Sequence, residues 1–229
     1  MSPDTAVAAA PAQVEVFAPE KARGRIRTFF RRYPAIAFGG SLLIVMVLMA
    51  VCAPLLSSVD PQALAPALRV RQPSAQFWFG TDMLGRDVYT RVIYGTRVSL
   101  IVGFAVAILA SLLGLIIGLV SGFIRVLDGV IMRVMDGLMS IPPILLAIAL
   151  MAATRGSVQN VIIAITIAEI PRVSRLVRSV VLSLREQPFV EAAIAAGTTT
   201  PRIIIRHILP NTLAPLTVQA TYICASAMI

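Results

Sequence analysis

The 22 residues from Ala35 to Leu56 carry no charge. A helix of that length extends about 33 Å, enough to cross a hydrocarbon core of ~30 Å. The basic segment Lys21 to Arg32 before it gives the charge order of a signal peptide, but a signal h-region runs only roughly 7–15 residues. Length therefore predicts an uncleaved signal-anchor helix, and the bulky Val51 before Cys52 argues against a lipoprotein signal. Residues 1–20, rich in Ala, Pro and small polar side chains, read as a disordered tail.

Composition extends the argument to the whole chain. Hydrophobic residues make up 58% and charged residues 14%, against roughly 25% charged in an average soluble domain, so the solvent for most of this surface is lipid. The net charge of +9 raises the question of nucleic acid. The basic side chains sit between apolar runs rather than on a polar domain, so a nucleic-acid partner is excluded in favour of a lipid bilayer. Cys52 and Cys224 both lie in apolar runs, far apart in sequence, and read as small buried hydrophobes.

Four further segments read as spans: Val98 to Ile124, Val134 to Ala153, Val158 to Val180, and Leu213 to Ile229. The segment from Val158 contains Glu169, Pro171, Arg172 and Arg175 and would score poorly on hydropathy alone. Charge decides it. Were it not a span, residues 154–211 would lie outside with seven arginines, against the positive-inside tendency. With all segments spanning and the N-terminus cytoplasmic, 14 basic residues fall inside and six outside. The predicted fold is all-α, a polytopic helical bundle. Residues 1–34 form a cytoplasmic tail, 35–56 the first span, 57–97 an external loop, and 98–229 the core with a cytoplasmic loop at 181–211. Because Ile229 stands inside an apolar run, a sixth span is expected beyond it.

Gly114, Gly118 and Gly122 recur at i+4, a small-xxx-small pattern that lets helix backbones approach closely. The prolines of Met139-Ser140-Ile141-Pro142-Pro143 predict a bend. Glu169 is the acidic residue placed deepest in a span, and Arg172 at i+3 can pair with it as a structural ion pair. Arg172, Arg175 and Arg178 share a broad helix face that anchors at headgroups or braces the cytoplasmic loop. The only lysine, Lys21, lies in Pro-Glu-Lys-Ala-Arg without a glycine-rich turn, so the chain has no P-loop. One histidine supports no multi-His metal site, and no Ser/His/Asp set falls on one face. The sequence predicts no catalytic, metal or cofactor site of its own.

The segment from Glu191 to Asn211 parses as helix, turn, helix. Gly197 suits the left-handed position after the first helix, Thr200 caps the second, Pro201 fits its first turn, and Leu209-Pro210 ends it. On physical grounds alone this is an interfacial helix pair. Its residues, however, resemble the Glu-Ala-Ala loop of bacterial ATP-binding-cassette importer permeases. Glu191, Ala192, Ala193, Gly197, Leu209 and Pro210 match in register. His207 stands at a usually aliphatic position, as in the peptide-importer subgroup, and Ile194 stands where that subgroup often has a basic residue.

A second segment, Phe79 to Leu100, resembles the stretch before the second span in the second (C-type) permease subunit of dipeptide, oligopeptide and nickel importers. It contains Gly80, Thr81, Asp82, Gly85, Arg86 and Asp87. Without the resemblance, Gly80 to Asp87 is a polar turn and Tyr89 to Arg97 a short interfacial helix. The resemblance implies an inner-membrane permease subunit of an importer of peptides, or of nickel or glutathione-like solutes. Its partners would be a homologous second permease, two ATPase subunits carrying ATP and Mg, and an extracytoplasmic substrate-binding protein. The 191–197 loop would be a coupling helix seated in the ATPase. A secondary transporter or channel is the alternative from another class, and no internal repeat supports it.

Overall fold

The computed structural model describes residues 31–153 and 157–229, so the expected disordered tail 1–20, most of the expected cytoplasmic tail 1–34, Lys21 and Arg155 lie outside the described residues. Met46–Ile229 form one compact unit, and the described residues before Met46 belong to another.

Helix α1 is Pro34–Val51, and a short turn of helix, α2, follows at Ala53–Leu56. The predicted run to Leu56 is thus interrupted at Cys52, and Pro54 in the first turn of α2 has no backbone donor. Residues 57–87 form a loop with a single 3₁₀ turn, Pro66–Leu68. Helix α3 then runs 36 residues, Val88–Phe123, about 54 Å at 1.5 Å per residue. The expected interfacial helix Tyr89 to Arg97 is therefore the first part of α3, not a separate element. Asp87 starts it by accepting from the Tyr89 and Thr90 amides at 3.3 and 3.2 Å, and no proline interrupts it afterwards.

Helix α4 is Arg125–Met139 and α5 is Pro143–Ala152. The two are bent by 84° at Ser140–Pro142. The bend expected from the prolines thus falls inside the predicted span Val134 to Ala153 and breaks it into a pair of helices, because successive prolines remove two donors where α4 would continue. Helix α6 is Val158–Arg185, started by Ser157 accepting from Asn160 N–H at 3.2 Å and carrying Pro171 inside it. Helix α7 is Pro188–Ala195 and α8 is Thr200–Ile203; a π-helical segment Ile204–Ile208 leads into α9, Leu209–Met228. Among the described residues, α1 and α3 are long and apolar enough to cross a membrane on their own, and the α4–α5 pair is a third candidate if counted as one span.

The core lies where α3 meets α6. An added Cβ at Gly114, Gly118 or Gly122 would stand 2.5, 2.6 or 2.8 Å from the Cβ of Val173, Val177 or Val181. The three glycines form a groove and the three valines the ridge that fills it, with the valines at most 1% exposed. Nearer the middle of α3, Gly103 admits Met228 and the Cys224 carbonyl of α9. Glycine is required along this stripe because the backbones approach too closely for any side chain.

Candidate functional site

The 188–210 segment attaches to the bundle through three fully buried side chains, Val190 of α7, Ile203 of α8 and Ile208 of the π segment. Around that plug the rest of α7 faces outward. Glu191, Ala192 and Ile194 are exposed and Ala193 is half-buried. Glu191 lies in the first turn, where the helix dipole favours its charge. Among the described residues it has no ion-pair partner.

Gly197 ends α7 at φ +75°. Its N–H donates to Ile194 O at 2.9 Å and the Thr198 N–H to Ala193 O at 3.0 Å, the pair of bonds that closes a Schellman turn. No atom lies within 4 Å of where its Cβ would stand. The glycine is thus required by backbone conformation and not by space. The next helix begins one residue earlier than expected. Thr199 is the N-cap and Thr200 already helical, with no side-chain cap bond.

Leu209-Pro210 does not end that helix. The Leu209 N–H reaches back to Ile204 O, five residues away, and this π turn widens the helix where the Pro210 ring would meet the preceding carbonyls. Asn211 Nδ2 donates to the His207 carbonyl at 2.6 Å across the same turn. Chain direction therefore passes through Pro210 unbroken into α9. His207, at the position usually aliphatic, lies with its ring centroid 6.2 Å from that of Phe189 and so packs on α7.

The arginines of α6 bind acidic partners on α4 that no local signal announced. Arg178 grips Asp128 with two contacts, 2.5 and 2.6 Å, and Arg175 reaches Asp136 at 2.5 Å. Arg172 pairs with Glu169 at 3.2 Å and stands 5.6 Å above the Tyr222 ring of α9. Glu169 also lines a cavity of about 240 Å³ between α5, α6 and α9, otherwise walled mainly by apolar side chains such as Ile148, Ile165 and Ile223. Arg185, the last residue of α6, donates to the Gly122 carbonyl of α3 at 2.9 Å and lies over the Phe123 ring.

In the 57–87 loop, Gly80, Thr81, Asp82, Gly85, Arg86 and Asp87 each have a local task. Gly80 and Gly85 take φ +72° and +78°, and a Cβ on either would collide with the Arg71 or Ala65 carbonyl. The Thr81 hydroxyl accepts from the Arg71 N–H at 2.8 Å and donates to Leu68 O. Asp82 accepts from the Leu84 and Arg86 amides at 2.8 and 2.9 Å and pairs with Arg91 at 2.5 Å and more loosely with Arg86. The Arg86 amide, with smaller help from the Leu84 amide and the two guanidiniums, holds the Asp82 carboxyl below the usual carboxylate range. Asp87 caps α3 and accepts from the Thr90 hydroxyl at 2.6 Å. These residues build a turn and a helix start.

Residues 110–229 match the family described as binding-protein-dependent transport system inner membrane component. Among curated proteins, a probable peptide ABC transporter permease of Sinorhizobium fredii is 54% identical over 198 residues, 86% of this chain and 68% of that one. A dipeptide transport system permease of Alkalihalophilus pseudofirmus is 46% identical over 188 residues, 81% of this chain and 62% of that one. A glutathione transport system permease of Salmonella typhimurium is 42% identical over 212 residues, 90% of this chain and 70% of that one. With a helical bundle built on apolar spans and a family match running from within α3 to the end of α9, the chain belongs to the integral-membrane permease subunits of ABC importers.

Proposed function

We propose that this protein forms half of the translocation pathway of a peptide importer and takes its energy from a separate ATPase that docks on α7. The observation that carries the reading is the outward face of α7. A carboxylate with no ion-pair partner among the described residues, Glu191, stands beside small side chains on a helix whose end is fixed by a glycine in the left-handed region. Such a helix is anchored through Val190 and offers the rest of its surface to another protein. Glu191 suits a basic group across that interface, where a charge-assisted bond is strongest.

The rest of the assembly follows from the same reading. A homologous permease supplies the other half of the pathway, two ATPase subunits carry ATP and Mg, and an extracytoplasmic protein delivers the solute. The chain sits in the cytoplasmic (inner) membrane with the N-terminus and the 181–211 loop cytoplasmic and the 57–97 loop external. Peptides are the favoured solute because the relative from Sinorhizobium, 54% identical, is named for them. The Salmonella relative, 42% identical, supports glutathione as the second reading.

Uptake of radiolabelled dipeptide and of glutathione into cells carrying the complete transporter, with and without this subunit, separates the two solutes. Affinity purification of the subunit should bring down a Walker-motif ATPase. Import by the purified chain alone, without nucleotide, would overturn the reading.

A further inference from the structure

The α7 docking helix begins three residues after Arg185, and Arg185 is bonded to a different helix. Its Nη1 donates to the Gly122 carbonyl at 2.9 Å, and its guanidinium carbon lies 5.5 Å from the centroid of the Phe123 ring. Gly122 and Phe123 are the last two residues of α3, so their carbonyls belong to the four that a helix leaves without an intrahelical partner. A cation there also meets the negative end of the helix dipole. The planar guanidinium can stack on a ring and donate sideways in one pose, which an ammonium cannot.

Beside this contact a cavity of about 330 Å³ separates α7 from the α3–α4 corner, lined by Ser121, Arg125, Asp128, Arg185, Glu186 and Glu191 among others. No packed side chain fills that space, so thrust on α7 cannot pass through it by contact. Two attachments bypass it, the plug of Val190, Ile203 and Ile208 and the Arg185 bracket. The bracket leads to a stiff block. Gly122 is packed on Val181, and Asp128, just past the one-residue α3–α4 corner at Ile124, is held by Arg178.

We propose that Arg185 is a positioning residue for coupling: it ties the start of the docking helix to the end of α3, so that movement of α7 is delivered to α3, α4 and α6 together. The proposal rests on the reading of α7 as the ATPase-docking helix. Arg185 touches neither solute nor nucleotide. It acts by leaving little slack between the docking helix and the spans.

Two measurements test it. In a chain with Cys52→Ser and Cys224→Ser, a spin label on Ile194→Cys reports the motion of α7. Arg185→Ala should raise label mobility clearly, with Arg185→Lys and Phe123→Leu in between; an unchanged line shape in Arg185→Ala overturns the bracket. In the complete transporter reconstituted in proteoliposomes, Arg185→Ala should keep its ATPase subunits and hydrolyse ATP while solute imported per ATP falls about fivefold or more. Arg185→Lys should recover part of that ratio. An unchanged ratio, or hydrolysis, uptake and assembly falling in proportion, overturns the coupling role. If the unaltered transporter imports nothing with ATP, the importer reading itself has failed, and the spin-label result still decides the bracket.

Discussion

Gly197 and Asp82 set backbone direction where the chain must turn, and each can be tested by a change that leaves its neighbours intact. At φ +75°, a residue with a Cβ costs about 1–2 kcal/mol, and more when β-branched. Open space around the site means that this conformational strain is the whole effect. Gly197→Val should reorient α7 and cut solute uptake at least about tenfold while immunoblots of isolated membranes show normal subunit levels. Gly197→Asn, which tolerates the left-handed region, should retain much of the activity. Glu191→Ala should lower uptake comparably, with ATPase co-purification reduced. For Asp82 the sign follows from its lowered pKa. A depressed carboxylate contributes its stabilisation fully above the ordinary Asp range of about 3.9, and loses it as pH falls through the lower folded value. Trp78 is the only tryptophan and stands 5.0 Å from the Tyr89 ring beside this turn. Its fluorescence should hold steady from neutral pH down to the ordinary carboxylate range and change only in stronger acid. Asp82→Asn should show the altered emission already at neutral pH.

At the scale of elements, the glycine stripe of α3 is a steric statement and can be reversed. Gly118→Val would put a Cβ 2.6 Å from Val177 Cβ and 2.8 Å from Ser174 O; overpacking of this kind costs about 1–3 kcal/mol. A lower melting temperature in detergent is expected, partly restored by Val177→Ala, whereas Gly129→Ala, with nothing within 4 Å, should leave stability nearly unchanged. The same comparison explains what could be read from the sequence. Glycines at i+4 announce a groove by themselves, because small residues at that spacing let helix backbones approach closely. The ridge that fills it was not legible, since Val173, Val177 and Val181 look like any apolar face. The left-handed turn at Gly197 was legible because it is local. The passage through Pro210 was not: a local rule ends the helix there, and a π turn with Asn211 bonded to the His207 carbonyl carries it on. Nor were the partners of Arg175 and Arg178, which lie 39 and 50 residues away and meet only once α4 has folded back.

For the molecule as a whole, span counting by apolar length and spans argued from charge give different numbers, and α6 shows why. Its 28 residues reach about 42 Å, longer than the hydrocarbon core, yet Glu169, Arg172, Arg175 and Arg178 defeat a composition test. In the folded bundle those charges are matched: Glu169 with Arg172, Asp136 with Arg175, Asp128 with Arg178. Pairing lowers the cost of charge near a membrane, and a window of sequence cannot register partners supplied by another helix. The five-span arrangement therefore makes a prediction about sides. In a chain without Cys52 and Cys224, a cysteine at Trp78 should react with a membrane-impermeant maleimide in intact spheroplasts, as the proposed external placement of the 57–97 loop requires. A cysteine at Ile194, exposed on α7, should react only in inside-out vesicles. Labelling of both from the same side requires an even number of crossings between them, instead of the three expected from α3, the α4–α5 pair and α6. That result would put the ATPase on the wrong side of the membrane from its docking helix.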